Sequence, residues 1–319
     1  HLEPDHLARV PLGRLDTPFE RLHRAGPRLG REVWVKRDDL TGAALSGNKV
    51  RKLEYLAAEA LRRGASTLVT CGGVNSNHAR ATAVAAAQLG LRSKLLLRGE
   101  DRHPPRGNLL LDRWVGAEVT FTDQAGWADR DRTMAAMAEG GYVIPEGGSN
   151  GLGAMGYRRA AAELLRDADA AGVRIGRVVH ACGSGGTTAG LALGFAALGV
   201  SVDLVAVAVM ADAAHFDPIV RGIVDDAAAR GLVAAEEAAG ASWRVLEGFV
   251  GEGYARTTPV EMAAHRQLAE EEGLILDPVY TGKAFLPIAC GALPPPEDGV
   301  TVFLHTGGIF ELFAYADLV

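Results

Sequence analysis

Residues 180–191 read HACGSGGTTAGL, an apolar run that enters a glycine-rich loop and leaves it as a helix. Gly183, Gly185 and Gly186 let the backbone approach a ligand closely, and the start of the next helix offers unpaired N–H groups to an anion. Ser184, Thr187 and Thr188 add hydroxyl donors. The physical reading is a cup for a phosphate group. It is not a nucleotide P-loop, because the Gly-Lys-Ser/Thr ending is missing. Nor is it a clean dinucleotide fingerprint. The third glycine position holds Thr188, Asp203 precedes the next strand instead of ending it, and Asp212 lies too far along. The bland alternative is a tight turn that binds nothing.

Outward from this loop, short β-rich apolar runs alternate with alanine- and leucine-rich segments of helical period. Strands are expected at 32–37, 66–71, 93–98, 117–121, 141–144, 176–182, 202–209, 243–249 and 300–306. Helices are expected at 48–64, 76–90, 149–169 and 259–273, with 225–240 as an alanine-rich surface helix. Continuous apolar strands separated by helices imply an α/β fold, with open, twisted, mostly parallel sheets covered on both faces. At 319 residues the chain exceeds what one core usually fills, so two sheets in two lobes are expected. The smaller lobe would be 50–155, and 1–49 with 156–319 would form the larger one.

The net charge of −6 argues against nucleic acid or an anionic membrane as the main partner. Cys71, Cys182 and Cys290 are few, odd in number and without metal-ligand spacing, which fits a reducing compartment. No apolar run reaches spanning length, so a soluble cytoplasmic protein is expected. No HExxH motif suggests a metal and no GxSxG elbow suggests a hydrolase. Asp38 and Asp39 are adjacent and make a poor acid–base pair.

Three further segments carry chemistry. The chain has only five lysines, arginine supplying most of its basic charge, and one of them, Lys49, sits in SGNKVRKLEY (46–55). Unlike arginine, a lysine amine can lose its proton and form a Schiff base. In TCGGVNSNHAR (70–80), Ser76, Asn77 and His78 follow a strand end and two glycines, where open α/β sheets bind ligands. Helix capping alone would account for one of the three. Near the C-terminus, Tyr280 and Thr281 in DPVYTGKAF (277–285) and Thr306 in FLHTGGIF (303–310) mark two more polar turns. Four such loops at strand ends suggest one shared crevice.

These segments, with KRDDLTG, RGNLLLDRWVGAEV and VIPEGGSNGLGAMGY, resemble the D-cysteine desulfhydrase and 1-aminocyclopropane-1-carboxylate deaminase family, fold type II pyridoxal-phosphate enzymes of the tryptophan synthase β-like group. The resemblance covers almost the whole chain. It implies that Lys49 holds pyridoxal 5'-phosphate covalently and shuttles the substrate's α-proton. Asn77 would meet the cofactor's phenolic oxygen, and Gly183, Ser184, Gly185, Gly186, Thr187 and Thr188 its phosphate. Ser76, with Asn77 and His78, would receive the substrate. Tyr280 would lie near the leaving group, with Tyr254 a second phenol, and either Thr281 or Thr306 would meet the pyridine nitrogen. A homodimer is implied as well.

Within the family, the deaminase branch carries glutamine and glutamate where this chain has His78 and Thr281. The resemblance therefore implies β-elimination from D-cysteine, giving pyruvate, sulphide and ammonia. L-Cysteate sulpho-lyase shares the pattern and is the first alternative, 1-aminocyclopropane-1-carboxylate deaminase the second. A nicotinamide-dependent oxidoreductase would leave the lysine segment without a purpose. Ser46 and Ala255 stand where the family usually has glycine, and 209–218 also departs from it. Arg80 or Arg256 is a candidate for an anionic substrate group.

Overall fold

In a computed structural model, which describes residues 7–318, strands and helices alternate as expected and the strands divide between two sheets. The strands are β1 (Phe19–Arg21), β2 (Val33–Lys36), β3 (Thr67–Gly73), β4 (Arg92–Arg98) and β5 (Glu118–Thr122). The rest are β6 (Tyr142–Val143), β7 (Ile175–Cys182), β8 (Asp203–Ala208), β9 (Arg244–Leu246) and β10 (Val300–Leu304). One sheet has the order β1-β2-β10-β7-β8-β9 and the other β5-β4-β3-β6. Every pairing is parallel except β1 with β2. The fold is α/β with two mostly parallel sheets, as the strand–helix alternation predicts.

All four strands of the smaller sheet fall within 50–155 and the rest outside it. Strand β1 was not expected. It is a three-residue hairpin partner with no readable period, held by tertiary contact: Phe19 stacks on Trp34 of β2 at 4.8 Å between ring centroids.

The segment 225–240 is not one surface helix. Helix Ala213–Ala229 ends before Gly231, whose φ of +66° breaks the turn, and a second helix, Ala235–Gly240, follows. Ala227 and Ala238 are buried in the core. Alanine is small enough to pack tightly, so its abundance marked contact and not exposure.

Helix Lys49–Arg62 packs against both Asn77–Gln88 and Gly151–Ala170. Its first turn is fixed from below by a buried ionic network. The Arg51 guanidinium donates to Asp38 (Nε to Oδ2 at 2.8 Å, Nη2 to Oδ1 at 2.7 Å) and to Glu163 Oε2 at 2.8 Å. Tyr157 also donates to Asp38 Oδ2, and Lys36 pairs with Glu163 at 2.6 Å. Asp38 and Asp39 do part company: Asp39 turns to Arg37.

Candidate active site

The glycine-bordered loops at the carboxyl ends of β3, β7 and β10 converge on one cleft of about 770 Å³, its open mouth included. This is where parallel sheets place ligand sites, because the connections there leave a crevice and the helices point their N-termini into it. Lys49, Ser76, Asn77, His78, Gly183, Ser184, Gly185, Thr187, Thr188, Tyr254, Tyr280 and Thr306 all line it.

Lys49 opens its helix and is half-buried on the cleft wall. Its amine has no hydrogen bond or ion pair with any described residue. Burial lowers its pKa to about 8, although the Glu146 and Cys182 charges oppose the shift. An amine at that value is partly neutral, and so nucleophilic, at ordinary pH.

The loop after β7 runs straight into a helix N-terminus that faces the cleft. Gly185 takes φ +79° at the N-cap of helix Gly186–Ala197. A side chain on Gly186 would come within 2.6 Å of Ser149 Oγ and 2.7 Å of Lys52 Nζ, so both donors stand directly against its backbone. Lys52 donates to Gly147 O and Ser149 Oγ, each at 3.1 Å, and Ser149 Oγ meets Ser184 Oγ at 2.8 Å. Thr187 Oγ1 accepts from Asn48 Nδ2 at 3.0 Å. The Thr188 hydroxyl turns inward, to His180 and Cys182. Lys52 and Ser149 were not anticipated, although Lys52 lies in the same ten-residue stretch as Lys49.

Ser76 caps helix Asn77–Gln88, its Oγ accepting from Ala79 N at 3.1 Å. His78 is buried, with Nε2 2.8 Å from Thr70 Oγ1. Since the Thr70 hydroxyl gives its hydrogen to Ile144 O, His78 must donate through Nε2. Burial first, then the charges of Lys49 and Lys52, push its pKa well below the ordinary value. His78 is a neutral wall residue.

Tyr280 and Tyr254 share a hydrogen bond of 2.6 Å between phenol oxygens, rings edge to face. Burial raises both pKa values, keeping both phenols protonated. Asp277 shapes the turn that presents Tyr280, accepting from the backbone N–H groups of Val279, Tyr280 and Thr281 at 2.7 to 2.9 Å. It also takes the Thr281 hydroxyl at 2.7 Å. Thr281 is therefore fully buried with its oxygen committed, whereas Thr306 lines the cleft. Ala255 sits at φ +57°, which explains why glycine is usual there, and its carbonyl accepts from Tyr315 Oη at 2.7 Å.

Two arginine expectations need correction. Arg80 is fully buried and structural, donating to Asn108 Oδ1, Ala44 O and Ser46 O. Arg256 is exposed and lies off the cleft. The arginine that does line it is Arg98, at the end of β4, over the rings of Trp127 and Tyr254. Asp203, weighed for a ribose, is bound by Arg177 and Arg244. Cys71 and Cys182 are buried, and burial raises their thiols to about 12 and about 11. Among the described residues no cluster could hold a metal ion.

A sequence model of the pyridoxal-phosphate dependent enzymes matches residues 10–307. The chain belongs to that family. It is 41% identical to the D-cysteine desulfhydrase of Serratia proteamaculans, covering 97% of each chain, and 41% identical to that of Klebsiella pneumoniae, covering 96% of each. An "ACC deaminase homologue" of known crystal structure superposes with a TM-score of 0.88 at 36% identity, over 98% of this chain and 97% of that one. O-ureido-L-serine synthase superposes at 0.67 with 20% identity, which shows the shared fold alone. As a member of this family the protein is a pyridoxal-phosphate-dependent enzyme, and its residues fit that group. The glycine cup with Lys52 and Ser149 suits a phosphate, and a half-buried lysine with a lowered pKa suits an aldehyde.

Proposed function

We propose that this protein carries out β-elimination on D-cysteine, consuming water and releasing pyruvate, sulphide and ammonia. The carrying observation is 41% identity over nearly full length to D-cysteine desulfhydrases, in a chain whose cleft holds Lys49 beside a hydrogen-bonded pair of phenols.

Bound pyridoxal phosphate supplies an electron sink for negative charge at the substrate's α-carbon. Lys49 is the base that takes the α-proton, since burial favours its neutral amine and no described side chain ties it. The Ser76 hydroxyl already accepts from Ala79 N, so its own hydrogen is free for the substrate carboxylate. The N–H groups of the same helix start help to hold that carboxylate. Tyr280, kept protonated and backed by Tyr254, gives a proton to the departing sulphide. The cup Gly183–Thr188 with Lys52 would hold the phosphate, Asn77 the phenolic oxygen and Thr306 the pyridine nitrogen. A neutral hydroxyl at that nitrogen imposes no proton on it, which favours elimination over transamination. Thr281 acts indirectly, through Asp277.

Arg98 favours L-cysteate as a second reading: it lines the cleft, forms no ion pair with any described residue although the Glu146 carboxylate on the same wall feels its charge, and suits a sulphonate. We assign residues 50–155 to a smaller lobe that closes over the substrate, and a homodimer to the assembly. Support for the dimer comes from two large apolar side chains left on the surface, Trp114 (83% exposed) and Phe313 (59% exposed). A cytoplasmic site is supported by three cysteines without a disulfide.

The test is an assay of the loaded protein with D-cysteine, L-cysteine, L-cysteate and 1-aminocyclopropane-1-carboxylate. Equal sulphide and pyruvate from D-cysteine support the proposal. Sulphite from L-cysteate without sulphide moves it to the second reading, and 2-oxobutyrate from the cyclopropane overturns it. Borohydride reduction should leave the cofactor on a Lys49 peptide, and Lys49→Ala should abolish that adduct.

A further inference from the structure

Four side chains beside the cleft form a hydrogen-bond chain whose direction is set from one end. Arg80 can only donate, and its Nε bonds Asn108 Oδ1 at 3.1 Å. Asn108 therefore offers Nδ2 on its other side, to Asn75 O at 2.7 Å and to Asn77 Oδ1 at 2.9 Å. With its carbonyl oxygen taken, Asn77 has only N–H groups to give, and one goes to Glu311 Oε2 at 3.1 Å. Asn77 lines the cleft. Glu311 does not: it is buried at the wall of a second cavity, behind Tyr254. A planar amide holds its two hydrogens in fixed directions, so catching one aims the other.

We infer that Glu311 is a positioning residue, whose carboxyl holds one amide hydrogen of Asn77 and so directs the other into the cleft, toward the phenolic oxygen of bound pyridoxal phosphate. This rests on the cofactor roles proposed above.

The surroundings of Glu311 suit that task. It has no ion pair with any described lysine or arginine. Asp277, Arg80, Tyr254, Tyr280 and Tyr315 interact with it electrostatically, and Arg98 and Arg102 line the same second cavity. Burial, then the Asp277 charge, pushes its pKa well above the usual carboxylate range. Burial thus favours the neutral acid, a form that accepts from Asn77 while setting less negative charge beside the cofactor's oxygen. A purely structural role, packing the short helix Ile309–Leu312, would leave the cofactor's electronic state indifferent to the residue.

Absorbance separates the two roles. Glu311→Ala and Glu311→Met, loaded with pyridoxal phosphate, lack the acceptor. Each should shift the visible band and its pH titration and lower kcat about tenfold, the effect of one oriented hydrogen bond. Glu311→Gln keeps a neutral side chain with an oxygen acceptor and should restore both. Glu311→Met fills the volume that alanine leaves empty, so one acceptor-free variant is available even if the cavity prevents Glu311→Ala from folding. An unshifted band in Glu311→Met, or a band in Glu311→Gln shifted as far as in Glu311→Met, overturns the inference. Absence of any cofactor band in the parent protein would instead defeat the cofactor assignment itself.

Discussion

Lys49 and Lys52 stand three positions apart on the opening turn of one helix, Lys49 on the cleft wall and Lys52 buried against Gly186. Burial, then the charge of Lys49, lowers the Lys52 pKa well below its ordinary value. No carboxylate among the described residues pairs with Lys52; its partners are one carbonyl and one hydroxyl. A phosphate bound in the cup, as proposed above, would supply the missing negative charge.

Lys52→Met should therefore weaken pyridoxal phosphate binding by about tenfold to a hundredfold, since a hydrogen bond to a charged group contributes about 1.5–3 kcal/mol. Binding of pyridoxal, which lacks the phosphate, should barely change. Calorimetry in buffers of different ionisation enthalpy should also show proton uptake on phosphate binding, lost in the variant. Equal loss of both ligands would show that Lys52 supports the fold and not the phosphate.

The Lys49 amine gives a pH dependence with a definite sign. Desolvation favours the neutral form, so the reactive fraction in cofactor-free protein grows as pH rises and levels off above about 8. The rate of covalent capture of pyridoxal phosphate should follow that curve by stopped-flow absorbance. In the unfolded chain the same amine holds its proton up to its ordinary 10.5. The unfolded state therefore binds more protons between about 8 and 10.5, and this group's contribution to stability rises with pH across that window. A capture rate independent of pH from 6 to 9 would remove Lys49 as the titrating nucleophile.

Much of this site could be read from residue order, because its parts are local. The glycine cup, the Ser76 cap and the Lys49 helix start each lie within one strand–loop–helix unit, and turn chemistry writes itself into adjacent residues. What could not be read is long-range. Glu311 meets Asn77 across 234 positions, and Arg51 meets Glu163 across 112. No spacing rule connects such pairs. Arg80 misled for the same reason: beside the SNH motif it resembles a ligand-binding cation, and only folding reveals the carbonyls around it. Lys52 had a signal, two of five lysines on one helical turn, but a second amine was not required by the chemistry inferred from the first.

The network beneath the Lys49 helix should matter more for stability than any exposed ion pair. Arg51→Met leaves Asp38 and Glu163 buried without their shared cation, a loss of about 3–5 kcal/mol. For Glu163, burial raises the pKa but the Arg51 hydrogen bond and charge outweigh it, with Lys36 adding to them, and the pKa falls to about 2. Its contribution to stability is therefore present above about 4.5 and is lost as pH falls toward 2. Urea unfolding at pH 7 and pH 3 checks both points: the parent should weaken in acid, and Arg51→Met should weaken less. An unchanged unfolding midpoint in Arg51→Met would show that the network is balanced by its own desolvation.

The phenol pair separates leaving-group chemistry from cofactor binding. Tyr280 and Tyr254 share one short hydrogen bond, and glycine at 183 leaves room for the Tyr280 ring, since a side chain there would crowd Cε1 at 3.0 Å. If Tyr280 delivers the proton to sulphide, Tyr280→Phe should lower kcat by about 10²–10⁴-fold, the usual range for a lost general acid. The cofactor band should stay in place. Tyr254→Phe leaves Tyr280 its proton and removes only its partner, so a loss of about tenfold is expected. The double variant should be no slower than Tyr280→Phe, because the two act as a unit. Replacing sulphide by a leaving group that needs no proton, such as chloride in β-chloro-D-alanine, should rescue Tyr280→Phe. If chloride elimination falls as far as sulphide elimination, Tyr280 orients the substrate and the acid lies elsewhere.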